Sequence, residues 1–332
     1  MKRLELFLTG LSLMLLVGIA AGAPPAAQSN TGVVRVIEQG QPPVVIHRTV
    51  EDAQSHFASH RHGGGGGGSN NLSYHGGSGG IGVETAPQIY VVFWGSQWTN
   101  NDPSGEAAIL ENFLSSIGGS AWMNTNTQYC QGVASGTIFC NGAGTPAGNQ
   151  SGMLYGTWYD SGSAAPRHPS QSQLAAEAVS AAQYFGNTAA GSNNSVQYVI
   201  ATSTGNSSRG FGTQYCAWHS STSSSYGNVA YTNLPYMTDA GASCGANFNN
   251  LGPNAGITIV EGHEAAETVT DQYPSTGWLD GGGSETGDKC AWISTGQGAS
   301  ANVTFPDGYT FPVQSLWSNV FNSNAGGCVL SY

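Results

Sequence analysis

The segment with the greatest capacity for chemistry is Gly262-His263-Glu264-Ala265-Ala266-Glu267. If this segment is helical, His263 and Glu267 project from the same face, one turn apart. Glu264 lies about a hundred degrees around the helix from His263, within reach of a ligand bound beside it. The spacing resembles the His-Glu-x-x-His zinc motif, in which the intervening Glu is the general base. A carboxylate oxygen is an acceptable zinc ligand, so the sequence predicts a zincin-like metal helix.

Further carboxylates surround this motif in a chain of which only 8% is charged. Such crowding is unfavourable unless a cation compensates it, so we expect one divalent cation, zinc first and calcium as the alternative. A solvated acidic helix face with an incidental His is the competing interpretation. The carboxylates of this stretch are Glu261, Glu264, Glu267, Asp271, Asp280, Glu285 and Asp288. The predicted metal ligands are His263, Glu267, His219, Glu285 and Asp288.

His219 is chosen because a disulfide at Cys216 would fix its surroundings, whereas His168 is interpreted equally well as a loop residue. An even number of cysteines in an exported chain predicts disulfides. We expect neighbours to pair, because each pair would then close a local loop, and no pair has the close spacing of a thiolate zinc site. The expected pairs are Cys130 with Cys140, Cys216 with Cys244, and Cys290 with Cys328.

The first residues predict secretion. Lys2 and Arg3 precede the apolar run 6–20, and small residues follow. This is the layout of a signal peptide over residues 1–23, with an uncleaved anchor helix as the alternative. Residues 24–85 are then predicted to be a flexible linker or a propeptide, because Gly, Ser and His dominate much of this segment. Its histidines are interpreted as solvated, although a His-rich tract can bind metal weakly: His47, His56, His60, His62 and His75.

The charge balance restricts the possible partners. The formal charge is −11, and the predicted signal contributes Lys2, Arg3 and Glu5, a net of +1, so the mature chain carries −12. An acidic chain without a basic patch argues against nucleic acid and anionic membranes as partners. We expect a secreted monomer, extracellular or associated with the cell wall.

Residues 86–332 are predicted to form a single disulfide-stapled α/β domain. Residues 88–95 are a continuous apolar, β-branched run that ends at Gly, typical of a buried strand, and 197–202 repeat this pattern. Apolar residues at helical spacing predict helices over 105–117 and 170–185. The order strand, helix, helix, strand favours a mixed, partly parallel sheet flanked by helices.

Several sequence elements stand in a characteristic order over most of residues 87–332. They are Val92-Phe93-Trp94-Gly95-Ser96-Gln97-Trp98, Tyr215-Cys216 with His219, the helix 259–267, Gly277-Trp278, Glu285 with Asp288 and Cys290, Trp317-Ser318-Asn319 and Cys328. Together they resemble the phosphate-induced protein family, whose plant members include EXORDIUM. The low charge and the Gly-rich segment are more similar to the family's bacterial relatives. The resemblance implies an extracellular or cell-wall-associated protein and no settled biochemical activity.

Two functions stay open. In the first, a zinc ion polarises a carbonyl and acidifies a bound water, Glu264 takes the proton, and the protein is a metallopeptidase-like hydrolase of peptides or proteins. In the second, the same carboxylates hold a structural cation in a non-catalytic protein. Exposed aromatic side chains would then bind cell-wall polysaccharide by stacking, for example Trp98, Trp122 and Trp158, although such residues more often lie in a core.

Two other motifs are weaker. Asp160 and Asp239 imitate the paired carboxylates of an acid peptidase, but Asp239 lacks the hydroxyl residue that should follow it, and a turn explains both. Residues 241–245 match a serine nucleophile elbow by letters alone, because no apolar strand leads into them.

Overall fold

The computed structural model of the protein describes residues 33–60 and 71–332, with the backbone alone for 56–60. The predicted signal peptide (1–23), the glycine run 63–68 and His62 lie outside the described residues. The strands are β1 Val34–Arg35, β2 Val44–His47, β3 Ser73–Tyr74, β4 Gln88–Trp94, β5 Cys130–Gln131, β6 Thr145–Pro146, β7 Leu154–Asp160, β8 Val196–Thr202, β9 Ala217–Ser224, β10 Gly227–Leu234, β11 Trp278–Leu279, β12 Ala301–Thr304, β13 Thr310–Val313, β14 Leu316–Ser318 and β15 Gly327–Val329. The α-helices are α1 Val50–His60, α2 Glu106–Ser116, α3 Gln171–Tyr184, α4 Ala255–Thr270 and the short α5 Phe321–Asn324. Short 3₁₀ helices span Ser96–Asn100, Met123–Gln128, Met237–Cys244, Phe248–Asn250 and Asp288–Cys290.

A seven-stranded mixed sheet organises the domain, in the order β1-β2-β9-β10-β8-β4-β7. Strands β10, β8, β4 and β7 pair in parallel, and β1, β2, β9 and β10 pair antiparallel. The predicted mixed, partly parallel sheet is therefore confirmed. The strands predicted at 88–95 and 197–202 are β4 and β8, which are neighbours, and the two predicted helices are α2 and α3.

Helices cover both faces of the sheet. Because side chains alternate along a strand, each strand contributes to two cores. One core lies between the sheet and α2 with α4, and the other lies under α3. Helix α3 begins with a capping box, in which Ser170 and Gln173 each accept from the other's backbone N–H. Along β4 the first core receives Ile89, Val91 and Phe93, and the second receives Tyr90, Val92 and Trp94.

The described parts of residues 24–85, predicted to be a flexible linker or a propeptide, are packed against the domain. Strands β1 and β2 extend the main sheet, with Val45 opposite His219 of β9. Helix α1 packs on the 3₁₀ helix Met237–Cys244, and β3 pairs with β11. All four residues of β2 are buried. This strand also pairs with the edge of β9, which would otherwise be open to another chain. The packed structure therefore includes residues before 86.

Three disulfides join the pairs expected from the sequence, Cys130 with Cys140, Cys216 with Cys244, and Cys290 with Cys328. Such bonds persist in oxidising compartments, so they indicate a non-cytoplasmic, extracellular type of protein. Among residues 33–60 and 71–332, no helix combines the length and the apolar character needed to cross a membrane.

Candidate metal centre

Three elements bring the predicted ligands together. Helix α4 carries His263, Glu264 and Glu267, and all of its residues are buried. Strand β9 carries His219, and the loop after β11 carries Glu285 and Asp288. Because α4 is enclosed between the sheet, α2 and β13, its polar side chains must find their partners inside the protein.

His263 and Glu267 face each other one turn apart on α4. His263 Nε2 lies 3.0 Å from Glu267 Oε2. Glu267 Oε1 accepts hydrogen bonds from the backbone N–H groups of Gly287 (3.1 Å) and Asp288 (2.8 Å). Within the described chain, neither His263 Nε2 nor Glu267 Oε2 makes a hydrogen bond. The loop thus fixes the Glu267 carboxylate by one oxygen and leaves the other facing His263.

Gly287 allows the loop to approach α4 this closely. A Cβ atom at this position would lie 2.6 Å from His263 Nδ1 and 3.0 Å from Glu267 Oε1. A side chain here would displace the loop or the His263 ring, because the contacts with His263, at 2.6 Å to Nδ1 and 2.9 Å to Cγ, are shorter than real Cβ atoms show. Glycine is therefore required where the backbone donates to Glu267.

His219 reaches the centre from the sheet. Its Nδ1 lies 2.9 Å from Glu264 Oε2, in a hydrogen bond, and 3.8 Å from Glu267 Oε2. Its Nε2 lies 3.5 Å from Glu285 Oε1. A proton on Nδ1, donated to Glu264, leaves the Nε2 lone pair directed toward Glu285. A carboxylate commonly orients metal-bound histidines in this way, by fixing the tautomer.

Asp288 closes the cluster from the loop. Its Oδ1 lies 3.9 Å from His263 Nε2, and its Oδ2 accepts a hydrogen bond from the Glu285 N–H at 3.0 Å. The disulfide of the neighbouring Cys290 ties this short 3₁₀ turn to β15. Asp288 is 9% exposed, whereas the other four predicted ligands are 0% exposed, so solvent comes nearest to the centre at Asp288.

Burial controls the protonation of the cluster. Desolvation raises the pKa of Glu267 to about 7 and that of Asp288 to about 8, and it raises the pKa of Glu285 well above its usual range. Burial also disfavours a protonated His219, but Glu285 and Glu264 outweigh it and raise the His219 pKa well above its usual value. Neutralisation of these oxygens therefore requires either protons or a cation.

The donor spacing fits a small cation. Two donors bound at about 2.1 Å to one tetrahedral ion lie about 3.4 Å apart. The distances from His263 to Glu267 and Asp288 are 3.0 and 3.9 Å, and that from His219 to Glu285 is 3.5 Å. Imidazole and carboxylate donors together suit zinc, whereas calcium prefers oxygen donors alone. A buried cluster of His, Glu and Asp that could hold a metal ion is thus present, as predicted.

His47 lies beside this centre and was not among the predicted ligands. Its ring centroid is 4.0 Å from that of His263, and its Nε2 lies 3.3 Å from Gln314 Oε1. Gln314 in turn donates to the Gly287 carbonyl at 2.9 Å. The sequence contained one signal for this position, because His47 ends the apolar run Val44-Val45-Ile46. Its interpretation as part of a solvated His-rich tract is wrong for this residue, which is 0% exposed.

Other residues singled out in the sequence lie elsewhere. His168 is exposed, and its Nδ1 contacts the Ser207 carbonyl. Asp239 accepts hydrogen bonds from Thr204 and Gly205, as expected of a turn residue. Asp271 accepts backbone hydrogen bonds from residues 275–277, so its oxygens are already occupied.

The aromatic side chains proposed for polysaccharide stacking are mostly unavailable. Trp98 and Trp122 are 5% and 0% exposed, and each donates its indole N–H to a buried carbonyl. Both fill the core on the α4 side of the sheet, where such residues more often lie, so they do not offer the exposed surface that polysaccharide stacking needs. Trp158 alone of the three is partly exposed, and it stacks on Tyr184.

The arrangement can bind a divalent cation through two imidazoles and up to three carboxylates, with Glu264 beside them. Its Oε1 makes no hydrogen bond to the described residues and is available to a proton. Comparison of the chain with protein-family models, with curated proteins and with solved structures finds no match.

Proposed function

We propose that the protein is a secreted, zinc-dependent hydrolase of the metallopeptidase type, with His219, His263, Glu267, Glu285 and Asp288 as metal ligands. The observation that carries this proposal is the convergence of buried nitrogen and oxygen donors that lack hydrogen bonds in the described structure. Proteins rarely leave such atoms unpaired, because each costs about 1–3 kcal/mol. A bound cation would pair the ligand atoms that surround it.

Glu264 is the base in this proposal. Zinc in a site of this kind polarises a carbonyl and lowers the pKa of a bound water. Glu264 Oε2 accepts a hydrogen bond from His219, and Glu264 Oε1 is available to accept the proton of that water. After the hydroxide adds to the peptide carbonyl, the same proton is given to the leaving amine as the C–N bond breaks. One carboxylate would thus orient a ligand and transfer the proton.

A second function is supported by the burial of the cluster. His219, His263, Glu264, Glu267 and Glu285 are each 0% exposed. A catalytic zinc needs an open position for water and substrate, whereas a structural zinc is closed. A structural cation in a non-catalytic extracellular protein would satisfy the same donors. For the hydrolase, substrate would approach from the side of Asp288, where exposure is greatest.

The test is metal analysis combined with cleavage of a pool of short peptides, for the wild type and two variants. Glu264→Gln should retain zinc, because its amide oxygen can still accept from His219, and should lose activity about 10²–10⁴-fold. Glu84→Gln makes the same change in another buried carboxyl and should keep both zinc and activity. Zinc without cleavage in the wild type would support the structural function. Calcium, or no metal, would overturn the zinc hydrolase.

A further inference from the structure

Glu267 belongs to two groups of possible ligands. His219, Glu267 and Glu285 form one group, and His263, Glu267 and Asp288 form the other. Within each group, one donor atom of each residue lies within 4.8 Å of the others. We propose that the centre holds two divalent cations, one in each group, with Glu267 as the bridging ligand. This inference rests on the proposed metal-binding function and specifies how many ions that function uses.

The position of Glu267 suits a bridging carboxylate. Its Oε2 lies close to both imidazole rings, 3.0 Å from His263 Nε2 and 3.8 Å from His219 Nδ1, the nitrogen that donates to Glu264. The first ion would bind His219 through its other nitrogen, Nε2. Glu267 Oε1 is held by two backbone N–H groups of the loop, so the carboxylate cannot rotate toward one histidine without losing them. A ligand fixed in this way presents the same oxygen to both groups.

Each group also has its own donors without hydrogen-bond partners among the described residues. In the first group these are His219 Nε2 and both oxygens of Glu285. In the second group the unpaired donor is His263 Nε2, and Asp288 directs Oδ1 toward it. All of these residues except Asp288 are fully buried. Each group has its own imidazole and its own carboxylate and shares only Glu267 with the other, which favours one ion in each group.

The negative charge of the cluster also favours two divalent cations. Four carboxylates lie 2.9 to 3.9 Å from the imidazole nitrogens, Glu264, Glu267, Glu285 and Asp288, and the buried carboxyls of Glu261 and Asp271 stand beside them. When the four are ionised, one divalent cation leaves two of their negative charges uncompensated, and a second cation compensates them. The nearby basic side chains are already engaged, Arg48 with Asp52 at 2.7 Å and Lys289 with Asp280 at 2.6 Å.

Two cations would also extend the chemistry of the proposed hydrolase. In two-metal hydrolases the ions lie about 3.5–4 Å apart. For a peptide substrate, one ion would acidify the attacking water and the other would polarise the carbonyl oxygen, while the leaving nitrogen takes its proton from Glu264. Glu264 touches the His219 side of the pair, so the water that it deprotonates would be the one shared with that ion.

The experiment is a titration of the metal-free full chain with Co²⁺, followed by absorbance and by the stoichiometry after dialysis. The wild type should bind two equivalents per chain. His219→Gln and His263→Gln should each bind one, because each removes the imidazole of one group. Glu267→Gln should lose both high-affinity sites, and the matched control Glu84→Gln should still bind two.

Electron paramagnetic resonance adds a readout that does not depend on variants. Two Co²⁺ ions bridged by one carboxylate should couple magnetically, and the signal of the two-equivalent sample should be weaker than twice that of the one-equivalent sample. Saturation of the wild type at one equivalent would overturn the two-ion centre and leave the metal-binding function intact. No binding at all would overturn both.

Discussion

Two sets of buried carboxyls have different surroundings, Glu84 with Glu106 and the metal-centre carboxyls around Glu285. Glu106 accepts the Met237 N–H with both oxygens, at 2.9 and 3.0 Å, and Glu84 accepts from the Gln197 side chain at 2.9 Å. Around α4, both oxygens of Glu285 lack hydrogen bonds within the described chain, although an imidazole lies 3.5 Å away. Burial raises the pKa in both sets, to about 8 for Glu84 and Glu106 and well above the usual range for Glu285.

The difference shows what distinguishes a metal centre from an ordinary buried acid. A lone carboxyl can be neutralised by one proton and satisfied by one or two donors, as at Glu106. Several carboxyls that converge on imidazole nitrogens cannot all be satisfied in that way, because their oxygens face other acceptors. The convergence, and not the burial or the pKa shift, is the feature that indicates a cation.

The largest effect expected from this comparison is the loss of stability on removal of metal. Anything that binds only the folded state stabilises it, by about 4 kcal/mol at a thousandfold excess over the dissociation constant. Chelation should therefore lower the free energy of unfolding of the wild type and of Glu84→Gln by about this amount, as measured by urea denaturation. Glu267→Gln should respond little to chelation. An equal response in all three proteins would contradict a metal at the α4 cluster.

An intermediate effect is expected when the pH changes the stability contributed by Glu106, which lies outside the α4 cluster. The pKa of Glu106 is raised to about 8 in the folded protein, first by burial, and an unfolded chain has its ordinary value near 4.5. The neutral Glu106 carboxyl therefore makes its full contribution to the free energy of unfolding below about pH 4.5. This contribution is lost as the pH rises through about 8. Relative to the wild type, Glu106→Gln should gain about 1–3 kcal/mol of stability between pH 5 and pH 8. This expectation is wrong if denaturation gives the same difference in free energy of unfolding between the two proteins at pH 5 and at pH 8.

The smallest effect concerns one carboxylate of the cluster. In metal-free protein at pH 8, Glu285→Gln should raise the free energy of unfolding by about 1 kcal/mol, because it removes a buried carboxyl that folding must either keep charged or protonate. In zinc-saturated protein the same change should lower it, because a ligand is lost. This reversal of sign is measured by thermal unfolding with and without zinc. Glu84→Gln should show the same sign under both conditions.

Much of the fold could be predicted from local patterns. The apolar runs at β4 and β8 and the helical spacing in α2 and α3 were sufficient to place these elements within one or two residues. The disulfide pairs also follow from short loop closures along the chain. The N-terminal segment was harder, because β2 is short and its partner, β9, lies far along the sequence. The proposed cleavage of a signal peptide, the family resemblance and the enzymatic activity stay predictions.

The sequence alone determined that His263, Glu264 and Glu267 would meet if their segment were helical, because the helical repeat sets the distances between residues three and four apart. The tertiary structure decided which remote residues join them. His219 meets Glu264 across 45 positions of sequence, and His47 reaches the centre because β2 pairs with β9. Packing also decided that Trp98 and Trp122 are core residues. Local spacing follows from backbone geometry, whereas long-range contacts and exposure depend on how the whole chain buries its apolar surface.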